Sequence, residues 1–269
     1  MNKTIVMFDM DGTLTEPRQA FDPSVLGAPL FYLSEVAEIG IVTGSDENYL
    51  TEQMRSLLEK SSCRYKTHLL PCNGTKYYPP PQTADDFHKL SSQESMRDKL
   101  GSHYFHNLIK EIMTYQCEIS NHPIPLTGHF INYRDSMINW CPIGRNANNK
   151  QRKEFQNLDK NLNLRRIYKE KLENSITTIG LKDLITIKMG GETSFDIFPN
   201  GWNKTYALNR FEGWDVWFVG DRCSETGNDY ELYKHCGQQG FETSGPEQTK
   251  EIILEKIIPT IKSRRVSNE

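Results

Sequence analysis

Three stretches of this chain follow one plan, a short apolar run that stops at a small polar turn. Ile5-Val6-Met7-Phe8 runs into Asp9-Met10-Asp11-Gly12-Thr13-Leu14-Thr15, Ile39-Gly40-Ile41-Val42 into Thr43-Gly44-Ser45-Asp46, and Val216-Trp217-Phe218-Val219 into Gly220-Asp221. Strands buried on both faces read as continuous apolar runs, so this plan points to a parallel sheet of the α/β class. Open sheets of that kind bind ligands at the carboxyl ends of their strands, where these polar turns stand.

The first turn carries the sharpest chemistry. Two carboxylates one residue apart suit phosphoryl transfer: one attacks phosphorus and becomes an aspartyl-phosphate, while the other moves a proton to or from the substrate oxygen. Two anions facing an anionic phosphoryl group repel it, so a divalent cation is required, and oxygen-only ligands favour Mg2+. Asp221 leaves its strand in position to complete that cation site. Asp229, in Gly227-Asn228-Asp229, has two readings at this point: it orients a metal-bound water, or it caps the helix that follows. Asp46 is expected to cap a helix beginning at Glu47, which turns backbone amides and the Ser45 hydroxyl toward an anion. That second turn alone is also ordinary helix capping.

At 269 residues the chain has length for one large domain or two modest ones. Its net charge of −3 argues against a general nucleic-acid surface and leaves any cationic site local. The six cysteines show neither C-x-x-C pairs nor ligand-like spacing with histidine, which reads as free thiols in a reducing compartment. Met1-Asn2-Lys3-Thr4 leads straight into the first strand with no apolar leader, and no apolar run approaches bilayer length, so a cytoplasmic protein is expected.

The middle of the chain follows a different pattern. After Leu69-Leu70-Pro71-Cys72-Asn73-Gly74, read as a strand end and turn, Tyr77-Tyr78-Pro79-Pro80-Pro81 continues neither a helix nor a central strand. Leu100, Tyr104, Leu108, Ile112 and Tyr115 stand at helical spacing and predict an amphipathic helix from about Asp98 to Gln116. Phe130–Arg134 and Ser136–Trp140 read as a hairpin. Helices are expected from about Asn149 to Asn161 and onward to Ile179, then strands at Leu184–Ile187 and Ser194–Phe198. Helices with mostly antiparallel strands, set inside a parallel-sheet protein, indicate an inserted α+β cap. The expected division is core 1–97, cap 98–200 and core 201–269.

Asp9-x-Asp11-Gly12-Thr13, Ser45 after Gly44, Lys204, and Gly220-Asp221 with Asp229 resemble, in order, the four motifs of the haloacid dehalogenase superfamily. Pro142-Ile143-Gly144-Arg145, the stretch from Gly190 to Lys204 containing Ser194-Phe195-Asp196-Ile197-Phe198-Pro199-Asn200-Gly201-Trp202, and Gly227-Asn228-Asp229 narrow the resemblance to eukaryotic-type phosphomannomutases. The resemblance implies a parallel-sheet, Rossmann-like haloacid dehalogenase core with the α+β cap inserted. It implies Asp9 as nucleophile and Asp11 as general acid and base. Asp9, the backbone carbonyl of Asp11 and Asp221 would hold Mg2+, while Ser45 and Lys204 would contact the transferring phosphoryl group.

The resemblance also implies a far-end phosphate clamp of Arg134, Arg145 and Arg152, joined by Arg18, with Ser194 and Asp196 on sugar hydroxyls. Guanidinium forks grip phosphate bidentately. The implied reaction interconverts mannose 6-phosphate and mannose 1-phosphate through a hexose 1,6-bisphosphate, which also serves as activator, and feeds GDP-mannose synthesis. Glucose phosphates are a second candidate substrate, and a homodimer through the cap is expected, with no nucleic-acid or membrane partner. Two alternatives stand beside it. A sugar-phosphate phosphatase would share Asp9, Asp11, Ser45, Lys204 and Asp221 but needs no arginine clamp, and the full set of acids argues against a non-catalytic binding protein. Four departures from the family pattern stand out: Thr43 before Gly44, Asn203 where an Asp is usual, Arg222-Cys223-Ser224-Glu225-Thr226 in place of the usual loop after Gly220-Asp221, and His235 where relatives with a second cation site near Tyr233 carry an acid.

Overall fold

The computed structural model describes residues 3–266, so the opening Met1-Asn2 lies outside the described residues. Its strands are β1 (Thr4–Phe8), β2 (Glu38–Val42), β3 (Thr67–Leu70), β4 (Lys76–Tyr77), β5 (Ser92–Gln93), β6 (Ile131–Tyr133), β7 (Ile138–Trp140), β8 (Ile185–Gly190), β9 (Ser194–Pro199), β10 (Asp215–Gly220) and β11 (Gly240–Glu242). The chain divides into two compact units, one comprising residues up to Gln93 and from Asn203 onward, the other Glu94–Trp202. The breaks fall four residues before and two after the expected positions. Ser95 caps the Met96–Leu100 helix through Asp98 N, and Met96 N donates to Asp135 O, so these residues belong with the second unit.

The first unit is a five-stranded sheet in the order β11-β10-β1-β2-β3, parallel throughout. Its strands read as apolar runs because both faces are covered: Val6, Phe8, Ile39, Ile41 and Leu69 pack into one core cluster, and Ile5, Met7, Val42, Leu70 and Phe218 into another. The chain winds from β1 through β2 to β3 on one side and returns through β10 to β11 on the other. The gap between β1 and β10 is therefore where strand order reverses, the place such sheets bind ligands. An isoleucine-rich helical run over residues 246–266 buries Ile252, Ile253, Ile257, Ile258 and Ile261. After β3, Tyr78 exchanges two backbone hydrogen bonds with Leu69, and β4 pairs with β5 over two residues.

The second unit is a four-stranded antiparallel sheet in the order β6-β7-β9-β8 with helices on one face. Alternation assigns Ile138, Trp140, Phe195, Ile197, Ile185 and Ile187 to that covered face, and all six are buried. Trp140 stacks on Phe195 with ring centroids 4.6 Å apart and donates its indole N–H to Gln116 Oε1 at 2.8 Å. The single helix expected from Asp98 to Gln116 is two, Met96–Leu100 and Ser102–Ile119, because Gly101 between them adopts a left-handed φ of 78°. Leu108 and Ile112 of the expected stripe are buried, Tyr104 is exposed, and Tyr115 is half-buried with its hydroxyl on Ser175. The other two helices, Asn149–Leu162 and Leu164–Thr178, meet at Asn163, whose φ of 52° turns the chain. β8 and β9 run one to three residues beyond their expected ends. All six cysteines are free. Among the described residues no helix is long and apolar enough to cross a membrane.

Candidate active site

Parallel register sets Phe8 beside Val219, so Asp9 and Asp221 emerge from neighbouring strands, and Asp9 N donates to Val219 O at 3.0 Å. Two glycines allow the acids to converge. A Cβ on Gly12, which has φ of 85°, would sit 2.4 Å from Asp221 Oδ2, and one on Gly220 would sit 2.7 Å from Asp229 Oδ2. Carboxylate oxygens of Asp9, Asp221 and Asp229 consequently gather within 4.8 Å of one another.

Lys204 enters this group fully buried and donates to both Asp9 and Asp229, the latter at 2.5 Å. Asp229 has no capping bond to its own helix. It accepts from Lys204 and, at 3.0 Å, from Arg222 N, so its side chain does not cap that helix. Burial raises the Asp9 carboxyl well above the usual range; Lys204 opposes this, and the neighbouring Asp229 and Asp221 add to it. Burial likewise raises Asp221, with Asp229 reinforcing it. For Lys204, burial pushes down, but Asp229 and Asp9 outweigh it and hold the ammonium above its ordinary value.

One ammonium among three carboxylates leaves this cluster short of positive charge. Arg222 Nε stands 3.7 Å from Asp221 Oδ2, on a partly exposed side chain. Asp221 Oδ1, Thr13 Oγ1 and Asn228 Oδ1 are buried with no hydrogen-bond partner, a cost that buried polar atoms bear when a ligand or ion completes them. An all-oxygen set with surplus negative charge and an unsatisfied carboxylate oxygen fits a hard divalent cation.

Asp11 stands apart from the cluster and is only half-buried. Its Oδ1 accepts from Arg18 N at 2.8 Å and from Tyr49 Oη at 2.9 Å. Arg18 itself is exposed and left-handed, with φ of 63°. Ser45 lies in the turn after β2, where its N–H donates to Thr43 Oγ1 and its carbonyl accepts from Cys72 N. Asp46 caps the Glu47–Gln53 helix through Tyr49 N at 3.0 Å, as expected. Asn203, the departure before Lys204, caps the 3-10 turn that Lys204 begins by accepting from Thr205 N at 2.9 Å. An Asn oxygen serves that cap as well as a carboxylate does.

In the second unit, β-register lines up Asn132, Asn139, Asp196 and Lys188 across the four strands on the face away from the helices. Asn139, buried between Ile138 and Trp140, links this face. Its Oδ1 accepts from Arg145 Nη1 at 2.9 Å, and its Nδ2 donates to Asp196 Oδ1 at 2.8 Å and Ser194 Oγ at 3.0 Å. Ser194 donates onward to Gly190 O at 2.5 Å. Arg134 is buried and shares the face by alternation, and Arg152 lies half-buried near the start of the Asn149–Leu162 helix. Sequence reasoning named Arg145, Ser194 and Asp196 but missed Asn139 and Tyr49. A lone Asn inside an apolar strand was the available signal for the first; for the second, no local pattern existed.

Solved structures with like folds include the IMP-bound, N-terminally truncated IMP-nucleotidase of Plasmodium falciparum, with a TM-score of 0.63 at 15% identity over 96% of this chain and 68% of that one. The C-terminal domain of trehalose-6-phosphate phosphatase from C. albicans gives 0.55 at 15% identity, over 94% and 91%. These likenesses establish the haloacid dehalogenase fold. Curated phosphomannomutases are nearer in sequence: that of Encephalitozoon cuniculi is 35% identical over 92% of this chain and 91% of its own length, and that of Schizosaccharomyces pombe is 36% identical over the same shares. A family model described as eukaryotic phosphomannomutase matches residues 28–259. The chain therefore belongs to the eukaryotic phosphomannomutase family.

Proposed function

We propose that this chain interconverts mannose 6-phosphate and mannose 1-phosphate through an aspartyl-phosphate on Asp9 and a hexose 1,6-bisphosphate. The observation that carries this reading is the linked polar face of the second unit, where Asn139 joins the guanidinium of Arg145 to Ser194 and Asp196. A phosphatase needs only the carboxylate and lysine cluster of the core. A mutase must also hold a phosphate and the sugar hydroxyls at the far end of the same molecule, and this face has the groups for both.

Asp9 attacks phosphorus while Lys204, fixed between Asp9 and Asp229, offsets charge on the transferring group together with Ser45. Asp11 takes and returns the proton of the sugar oxygen. Asp9, Asp221 and the backbone carbonyl of Asp11 are the residues that would hold Mg2+, which supplies charge neutralisation when bound. Arg134, Arg145 and Arg152, with Arg18, grip the distal phosphate, and Ser194 and Asp196 read hydroxyls. After the first transfer the bisphosphate turns end for end, returns its other phosphate to Asp9 and leaves as the isomer. A trace of hexose 1,6-bisphosphate primes the cycle.

This reading places the protein in the cytoplasmic supply of mannose 1-phosphate for GDP-mannose. It includes a homodimer through the cap, for which the solvent side of the Ser102–Ile119 helix around Ile109 and Met113, the latter 56% exposed, offers an apolar surface. The decisive test incubates the protein with mannose 1-phosphate, Mg2+ and a trace of glucose 1,6-bisphosphate. Mannose 6-phosphate is the expected product, whereas free mannose and inorganic phosphate would identify a phosphatase.

A further inference from the structure

We infer that Tyr49 is a positioning residue for proton transfer by Asp11, an inference that rests on the assignment of Asp11 as general acid and base. Tyr49 is anchored twice. Its backbone N–H is held by the Asp46 cap at 3.0 Å, and its ring packs against the core cluster beneath β1 and β2. Its phenolic hydroxyl donates to Asp11 Oδ1 at 2.9 Å. The Arg18 amide donates to the same oxygen at 2.8 Å.

Two donors from different segments on one oxygen fix the rotation of the Asp11 carboxyl group. They also differentiate its two oxygens. Oδ1, already accepting two hydrogen bonds, is a poor place for a further proton, so Oδ2 is the atom that carries it. In the transfer itself a bond forms between an Asp9 carboxylate oxygen and phosphorus, and the bond from phosphorus to the sugar oxygen breaks. The electron pair remains on the sugar oxygen, which takes the proton from Asp11 Oδ2; the opposite transfer, from Asp9 to a sugar hydroxyl, returns a proton to Oδ2. A carboxyl free to rotate would present either oxygen to the sugar, and near-attack geometry would be populated less often.

Arg18 lies within this arrangement. A left-handed arginine is an uncommon backbone state, and here it points an amide at Asp11. Tyr49 braces the same carboxylate from the β2 side, so the turn after β1 and the helix after β2 set the angle of Asp11 together.

Tyr49→Phe keeps the ring and removes the hydroxyl. Two reactions separate positioning from general damage: hexose phosphate interconversion, whose departing sugar oxygen needs a proton, and the burst of p-nitrophenolate from p-nitrophenyl phosphate, whose leaving group does not. Tyr49→Phe is expected to lower kcat for hexose phosphates by about tenfold with KM changed less than about twofold, and to leave the burst rate and thermal midpoint within about twofold and about 2 °C. An equal fall in both reactions, or no fall in either, overturns the inference. Asp11→Asn is run alongside, with a loss of roughly 10²- to 10⁴-fold expected for hexose phosphates. If Asp11→Asn retains full hexose conversion, the assignment of Asp11 is wrong and the role of Tyr49 falls with it; a severe loss there with an unaltered Tyr49→Phe overturns the tyrosine alone.

Discussion

The two units build their chemistry on opposite parts of a β-sheet. In the core unit both faces of the parallel sheet are buried, so only strand ends remain for polar groups, and Asp9 and Asp221 occupy the ends of β1 and β10. In the cap unit helices cover one face of an antiparallel sheet, and the other face carries Asn132, Asn139, Asp196 and Lys188 in a cross-strand row. Strand ends make a small, dry site in which charges are strongly coupled. A sheet face makes a broad one in which separate side chains read separate parts of a ligand. The first suits bond breaking, the second recognition.

The contrast fails first if the strand-end site is not the place of chemistry. Asp9→Asn keeps the shape and removes the proposed nucleophile, and is expected to lower mutase turnover by at least about 10⁴-fold, measured by coupled assay. Retained phosphoenzyme labelling in that variant would refute the nucleophile assignment.

Lys204→Met tests the coupling within the cluster. It strands Asp9 and Asp229 in the interior, and the expected loss is roughly 3–5 kcal/mol of stability by urea unfolding, along with activity. Adding Asp229→Asn should recover part of the stability and none of the turnover. The same burial predicts a pH trend. Because Asp9 and Asp221 hold protons more tightly folded than unfolded, the cation-free protein should lose stability as pH rises from about 4, the ordinary carboxylate value, through their elevated folded values. Asp221→Asn should flatten that slope, and a steeper one would contradict the assigned direction.

On the sheet face the expected effects are smaller and fall on binding. Arg145→Ala removes the proposed charge-assisted grip on phosphate, worth about 1.5–3 kcal/mol, so KM for hexose phosphates should rise about 10- to 150-fold, while the p-nitrophenyl phosphate burst stays near wild type. A matching drop in the burst would show that the two sites are not separable. Smallest of all, Asn203→Ala deletes one helix cap and should cost about 1 kcal/mol with mutase kinetics little changed, while Asn203→Asp should match the wild type in thermal midpoint.

Legibility followed local periodicity. Three apolar runs ending in polar turns were enough to place β1, β2 and β10, and alternation over Ile138-Asn139-Trp140 was enough to mark a half-buried strand. The interruption at Gly101 was harder to see, since Leu100 and Tyr104 keep helical spacing across it. Asn139 was overlooked because an isolated amide in a strand looks like a polar outward position until its partners on β9 and at Arg145 are known. Tyr49 lies 38 residues from Asp11, and aromatic residues on short helices usually pack, as its ring does.

By itself the sequence determined the acids, the lysine and the arginines, and the strand-to-turn junctions on which the acids stand, because residue type and short-range pattern are carried along the chain. Tertiary structure alone decided that Asp229 turns from its helix to Lys204, that Tyr49 and Arg18 share one oxygen of Asp11, and that Asn139 ties Arg145 to Ser194 and Asp196. Each of these joins residues distant in sequence or on different strands. Hydrogen bonds act over about 3 Å and depend on direction, so their partners are chosen only when packing brings those atoms into line.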